Sequence, residues 1–157
     1  IDYYCVQEAL YNMNGLTRGI DQINWLHHKF KTEVNCALVE HNIPLTLSKL
    51  RVLDVIAHTP HCRAKEIIEI LGFSPRTVTE ALDYLDIKGF ILRKKSKENR
   101  KDKILSLTQR GDSILSIAIE IRMAKLHELI EPLTEEQLMQ LIHLSDVLYN
   151  ASRSFNS

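Results

Sequence analysis

The chain has 157 residues, 45% hydrophobic and 25% charged, with 5 Gly and 4 Pro, which is ordinary globular composition and excludes collagen-like, low-complexity and wholly disordered chains. Its greasiest run, residues 114–121, is broken by Ser116 and Glu120 and falls well short of the roughly 18 to 20 apolar residues that span a bilayer, so a soluble protein without a membrane partner is expected. The 20 basic and 20 acidic side chains cancel, yet residues 88–110 hold 9 basic against 2 acidic groups, while 1–87 hold 8 against 11 and 112–157 hold 3 against 7. An anionic partner should meet that one basic segment.

From 1 to 43 there is no proline, and Leu16, Ile20, Ile23, Leu26, Phe30, Val34, Ala37 and Leu38 recur near helical spacing, which predicts a long first helix. Asn14-Gly15 and Gly19 weaken its early part, so a break there, with 3–13 as a separate short helix, is a reasonable expectation. Ile43-Pro44 ends the element, because the residue before a proline is pushed to an extended conformation. Thr46 is placed to cap a second helix whose inward stripe is Leu50, Leu53, Ile56 and Ala57, and His58-Thr59-Pro60 stops it. A third, short helix runs from Ala64 to Leu71 with Ile67, Ile68 and Leu71 inward, and Gly72 terminates it. Ser74-Pro75 then signals a fourth start, since a serine oxygen caps free amides and a proline at the first helical position sacrifices no hydrogen bond. That helix extends to about residue 88, with Gly89 closing it.

After Gly89 the pattern changes to two short strand-like runs, Phe90-Ile91-Leu92-Arg93-Lys94 and Lys103-Ile104-Leu105-Ser106-Leu107, with 95–102 as the hairpin tip. Thr108 starts a fifth helix carrying Ile114, Leu115, Ala118, Ile121, Leu126 and Leu129 as far as Pro132. Thr134-Glu135-Glu136-Gln137 is a capping-box pattern for a sixth, with Leu138, Leu141, Ile142 and Leu148 along it. A short helix, a turn with glycine, a capped helix and a basic hairpin, in that order, predict a mainly α winged helix-turn-helix with a two-stranded β wing.

The fourth helix carries the candidate chemistry. Val78, Leu82 and Leu85 share one face and should pack inward, which turns Arg76 and Glu80 outward, flanked by Thr77 and Thr79. An arginine at such a helix start suits a guanine edge or a phosphate, hydroxyls suit phosphate or base, and Glu80 suits a cytosine amino group. Asp83 shares that face, where phosphate would repel it, so it should pair with Arg76 or the helix should enter the groove by its first two turns only. In the hairpin, Arg93, Lys94, Lys95, Lys97, Arg100, Lys101 and Lys103 crowd together, and a phosphate backbone would relieve their mutual repulsion. The expected contacts with double-stranded DNA are therefore Ser74, Arg76, Thr77, Thr79, Glu80, Arg93, Lys95, Lys97, Arg100 and Lys101.

These residues resemble the MarR (multiple antibiotic resistance regulator) family of transcription factors over about 45–148. The likeness is most specific in Phe73-Ser74-Pro75-Arg76-Thr77-Val78-Thr79, Leu85-Asp86-Ile87-Lys88-Gly89-Phe90-Ile91-Leu92-Arg93, and Leu107-Thr108-Gln109-Arg110-Gly111. The family's wing carries Asp-Arg-Arg nine residues before the threonine of its Leu-Thr-x-x-Gly motif, and the chain departs from it with Asn99-Arg100-Lys101, losing the aspartate that helps hold the wing-tip arginine. The resemblance implies a cytoplasmic, non-enzymatic regulator of repressor type, binding an inverted-repeat operator as a homodimer and relieved by a small aromatic or anionic ligand. It implies three regions: 1–43 and 109–157 for dimerisation, and 44–108 for DNA. Independently, the Leu/Ile stripes of the first, fifth and sixth helices are left over from the winged module and need a partner surface, with Leu138, Leu141 and Leu148 expected there.

Other features are expected to be structural. Seven histidines are scattered, and His58, His61 and Cys62, although close in sequence, form no regular ligand set, so no metal and no cofactor are expected. Cys5, Cys36 and Cys62 form an odd count without a C-x-x-C pair, which fits a reducing compartment. Cys5, near Tyr3, Tyr4 and Tyr11, loosely matches the peroxide-sensing branch of the family, but an inert thiol is the simpler expectation. Trp25 reads as a core or interface aromatic. Residues 1–10 lack the basic start and apolar core of a secretory signal, so export is not expected. No nucleophile elbow, P-loop, dinucleotide fingerprint or H-E-x-x-H is present. The alternative to a DNA-binding regulator is a helical module whose basic hairpin docks an acidic protein.

Overall fold

Local chemistry sets most helix ends. In the computed structural model, which describes residues 3–95 and 103–154, with side chains described for 15–95 and 103–152, the helices are α1 (Tyr3–Glu40), α2 (Leu47–His58), α3 (Ala64–Leu71), α4 (Pro75–Ile87), α5 (Gln109–Ile130) and α6 (Glu135–Ser154). Thr46 Oγ1 accepts from the Lys49 amide at 3.4 Å at the start of α2, and Ser74 Oγ accepts from the Thr77 amide at 3.1 Å at the start of α4. Gly72 closes α3 at φ +65°, with its N–H bonded to Ile68 O, a conformation that glycine adopts without penalty. Thr134 and Gln137 exchange side-chain to backbone bonds of 2.9 and 3.2 Å, the expected capping box of α6. At α3 only half of such a box forms: the Glu66 carboxylate accepts from the Arg63 amide at 2.9 Å, but an arginine has no acceptor to return.

The expected break in α1 does not occur. Gly15 and Gly19 sit inside a continuous helix with open space around them, because a glycine costs a helix only about 1 kcal/mol relative to alanine. The inward stripe of α1 is also shorter than its periodicity suggests: Val34, Ala37 and Leu38 are buried, whereas Leu16, Ile20, Ile23, Leu26 and Trp25 are exposed. Trp25 is therefore no core residue of this chain. On α2 the expected Ala57 is exposed, and Leu47 and Val52 are buried beside Leu50, Leu53 and Ile56, since α2 packs on both α3 and α4 and so needs a wider stripe.

The hairpin strands are β1 (Ile91–Lys95) and β2 (Lys103–Leu107), antiparallel, with Ile91 opposite Leu107 and Lys95 opposite Lys103. Phe90 precedes the strand instead of opening it and is wholly buried. The Leu105 amide donates to Cys62 O at 2.8 Å, tying β2 to the loop before α3. One core joins α1 through α5, with Leu38, Leu50, Leu53, Ile67, Val78, Leu85, Phe90 and Ile91 nearly inaccessible, each contributing about 1.5–3 kcal/mol of apolar burial.

The Leu107-Thr108-Gln109-Arg110-Gly111 motif is a latch on this core. Thr108 Oγ1 donates to Gly89 O at 2.7 Å and accepts from the Gly111 amide at 2.9 Å, while the Thr108 amide donates to Phe90 O at 3.0 Å. A β-carbon on Gly111 would lie 1.9 Å from Phe90 O, so the helix can approach the turn this closely only without a side chain. Residues 1–122 form one compact unit and 123–157 a second. No described helix is long and apolar enough to cross a membrane.

Candidate nucleic-acid interface

The start of α4 is a presented surface. Val78, Ala81, Leu82 and Leu85 fill the core, which leaves Arg76, Thr77, Thr79, Glu80 and Asp83 exposed on the other side. A long-range bond steadies the helix: the Tyr84 hydroxyl donates to Pro44 O at 2.6 Å in the linker before α2. The start of α2 is tied to α1 by the Leu47 amide donating to Asn35 Oδ1 at 2.7 Å.

The hydroxyls expected at the interface each have a partner within the helix start. Ser74 Oγ and Thr77 Oγ1 are 2.8 Å apart, and Thr79 Oγ1 donates to Pro75 O at 2.9 Å. Of the three, Ser74 Oγ also accepts from the Thr77 amide, so Ser74 serves first as a cap. Arg76 Nε donates to Glu80 Oε1 at 2.8 Å, with 88% and 65% of the two side chains exposed. The carboxylate's hydrogen bond raises the Arg76 guanidinium above its usual range, and in open solvent such a pair is readily exchanged for another anion.

Asp83 does not pair with Arg76, one of the two arrangements expected from the sequence. It accepts from Arg93 Nη2 across the α4–β1 boundary at 2.6 Å, and Arg93 Nε stands 2.9 Å from Asp86 Oδ2. The Nε contact is ionic and poorly aligned, since this buried nitrogen has no hydrogen-bond acceptor in line. Arg93, expected as a DNA contact, is thus only 18% exposed and committed to two carboxylates. Sequence reasoning misses Asp86; its signal is a second carboxylate one turn after Asp83, shortly before a basic strand.

Lys94 and Lys95 are exposed on β1, and the register sets Lys95 directly opposite Lys103. Like charges facing across an antiparallel pair are unfavourable unless an anion lies near. Lys97, Asn99, Arg100 and Lys101 lie outside the described residues. Beside the hairpin a cavity of about 300 Å³ is lined by Arg63, Lys65, Thr79, Arg93 and Lys103, with Ala64, Leu82 and Leu105 as its apolar wall. Glu66 answers Arg63 there at 2.7 Å, and that hydrogen bond holds its carboxyl below the usual range.

The neighbouring histidines and cysteine diverge. His58 turns to Asp54, with Nδ1 2.9 Å from the backbone oxygen, while Cys62 is buried and its thiol is pushed up to about 11, chiefly by burial and then by Glu66. A thiol so raised is protonated at neutral pH and a poor nucleophile. Cys36 is exposed, and the side chain of Cys5 lies outside those described. Among the described residues no group of three or more His, Cys, Asp or Glu is placed to hold a metal. On α6, Leu138 is half-buried and Leu141 and Leu148 are exposed.

Residues 45–103 match the model of the MarR family. The chain is 29% identical over 110 residues to the HTH-type transcriptional repressor MdtR of Bacillus subtilis (strain 168), covering 70% of this chain and 71% of that one. It is 26% identical over 159 residues to the HTH-type transcriptional regulator YfiV of the same organism, covering 98% and 99%. Among solved structures it resembles a mutant MarR from E. coli complexed with operator DNA, with TM-score 0.77, 20% identity, and coverage of 86% of this chain and 96% of that one. It also resembles the transcriptional repressor CouR bound to a 23-mer DNA duplex, with TM-score 0.74, 21% identity, and coverage of 82% and 89%.

Proposed function

We propose, from the match of residues 45–103 to the MarR family model, that the chain is a DNA-binding transcriptional regulator of that family and acts as a homodimer on an inverted-repeat operator. The observation that carries this reading is the pairing of an exposed, capped start of α4 with a hairpin whose Lys95 and Lys103 face each other. The helix offers Arg76 and Glu80 to base edges and the hairpin offers cations to phosphate, which divides sequence reading from non-specific affinity. The likeness to operator-bound MarR and duplex-bound CouR supports the same use of the fold, and the name of MdtR supports repression.

The regions 1–43 and 109–157 would supply the dimer surface, because Leu16, Ile20 and Ile23, and separately Leu141 and Leu148, are exposed apolar groups that a second copy could cover. A small aromatic or anionic ligand would meet Lys65 and Lys103 in the cavity beside the hairpin, where Arg63 and Arg93 are already answered by carboxylates. The activity is binding in the cytoplasm, without catalysis. Salt titration of binding to duplex DNA tests the reading: affinity should fall steeply as salt rises, with a slope of about 0.9 for each phosphate neutralised. Absence of duplex binding together with tight binding to an acidic polypeptide would overturn it.

A further inference from the structure

We infer that Arg93 is a positioning residue, clamping the hairpin to α4 and neutralising Asp83 and Asp86 so that an otherwise acidic helix face can lie against DNA; this deepens, and rests on, the DNA-binding reading. The exposed side of α4 carries three carboxylates, Glu80, Asp83 and Asp86, against the single cation Arg76. Unanswered, that face would be repelled by phosphate. Arg76 offsets Glu80 at 2.8 Å. Arg93 offsets the other two, at 2.6 and 2.9 Å.

The geometry suits this work better than a phosphate contact. A guanidinium spreads its charge and donors over a rigid plane, so that Nη2 can hydrogen-bond Asp83 while Nε stays in ionic reach of Asp86; an ammonium gathers its charge and three donors at one point. Arg93 is largely withdrawn from solvent, where opposite charges attract more strongly than on an open surface. It is the third residue of β1, opposite Leu105, which is buried in the core. The backbone at Arg93 is therefore anchored through its strand partner to the core, and its side chain ties α4 to the root of the hairpin. Removing it would do two things at once: free the hairpin's angle, and release two carboxylates toward the groove.

A double-mutant cycle separates the clamp from a simple phosphate contact. Binding is measured at one salt concentration on a duplex selected from a random pool and on its scrambled version, for wild type, Arg93→Gln, the pair Asp83→Asn with Asp86→Asn, and all three together. Arg93→Gln should weaken binding to the selected duplex by about thirtyfold and to the scrambled one by about threefold, because the released carboxylates meet DNA only where α4 enters the groove. Neutralising both aspartates should recover most of that loss in the Arg93→Gln background and change wild type by less than about threefold, a coupling of about tenfold. Arg93→Lys, which retains the charge and protects the test against a folding failure, should bind several-fold more weakly than wild type because a compact, strongly hydrated ammonium on a flexible stem does not reproduce the planar spread that reaches Asp83 and Asp86 from two nitrogens. Additive effects, equal losses on both duplexes, or full binding by Arg93→Lys would overturn the clamp while leaving the DNA reading intact. Failure of wild type to bind any duplex would overturn that reading, and the clamp's role in binding with it.

Discussion

Leu50, Leu53, Ile67, Val78 and Leu85 are shut away within the winged module, whereas Leu16, Ile20 and Ile23 of α1 and Leu141, Ile142 and Leu148 of α6, no less apolar, are exposed. The two sets have similar helical spacing and opposite fates. Periodicity locates an apolar face but does not say what covers it: in the winged module three short helices and a hairpin close on one another, while a 38-residue helix is longer than the core it meets. That uncovered stripe is the surface on which the proposed homodimer rests.

Glycines give the sharpest break between the regions. Among the five glycines, Gly111 is the one where an added methyl meets backbone, its β-carbon falling 1.9 Å from Phe90 O in a packed turn; for Gly111→Ala a loss of several kcal/mol in denaturant unfolding, on the order of 3 or more, is expected. Gly15→Ala, in open space on α1, should instead stabilise by about 0.5–1 kcal/mol. Similar losses at both sites would remove the contrast.

Leucines sharpen the same comparison. Leu85→Ala should cost about 2–5 kcal/mol whatever the protein concentration, since it empties a site inside one chain. Leu141→Asp, at an exposed position on α6, should leave the winged module folded and abolish dimerisation, as burying an unpaired carboxylate in an interface costs several kcal/mol, roughly 3 to 5. Sedimentation of the mutant as a stable dimer would move α6 out of the interface.

Much of the winged module is legible in the sequence because its signals are local. Thr46, Gly72 and Ser74-Pro75, like Thr134 at the start of α6, each act on amides or carbonyls within a few residues, so spacing alone reveals them. The first helix is misjudged at Gly15 and Gly19 because a propensity cost of about 1 kcal/mol each is too small to interrupt a long helix. Ala57 is misplaced because a stripe drawn at ideal spacing ignores how many neighbours α2 must meet. The candidate site is legible in its residue types and less so in its pairings. That Arg76 takes Glu80 follows from i, i+4 geometry. That Arg93 takes Asp83 and Asp86 depends on the angle between β1 and α4, which no local pattern encodes.

Smaller effects should separate helix from hairpin. Replacing Lys97, Arg100 and Lys101 by alanine should weaken binding to every duplex alike and reduce the salt slope by about 0.9 for each phosphate no longer neutralised. An unchanged slope would remove these residues from the interface. Arg76→Ala should weaken binding to the best site roughly tenfold to a hundredfold and relax preference at one position per half-site, if the guanidinium leaves Glu80 for a guanine edge. An equal loss on a scrambled duplex would reassign it to phosphate.

The central claim is that two copies of the chain present α4 to DNA about a two-fold axis. Selection of bound sequences from a random duplex pool, at one stated salt concentration, tests it most directly. The account predicts enrichment of an imperfect inverted repeat whose half-site centres lie about one helical turn apart, roughly 10 to 10.5 base pairs. Enrichment of a single unpaired half-site, or of no sequence at all, would contradict it.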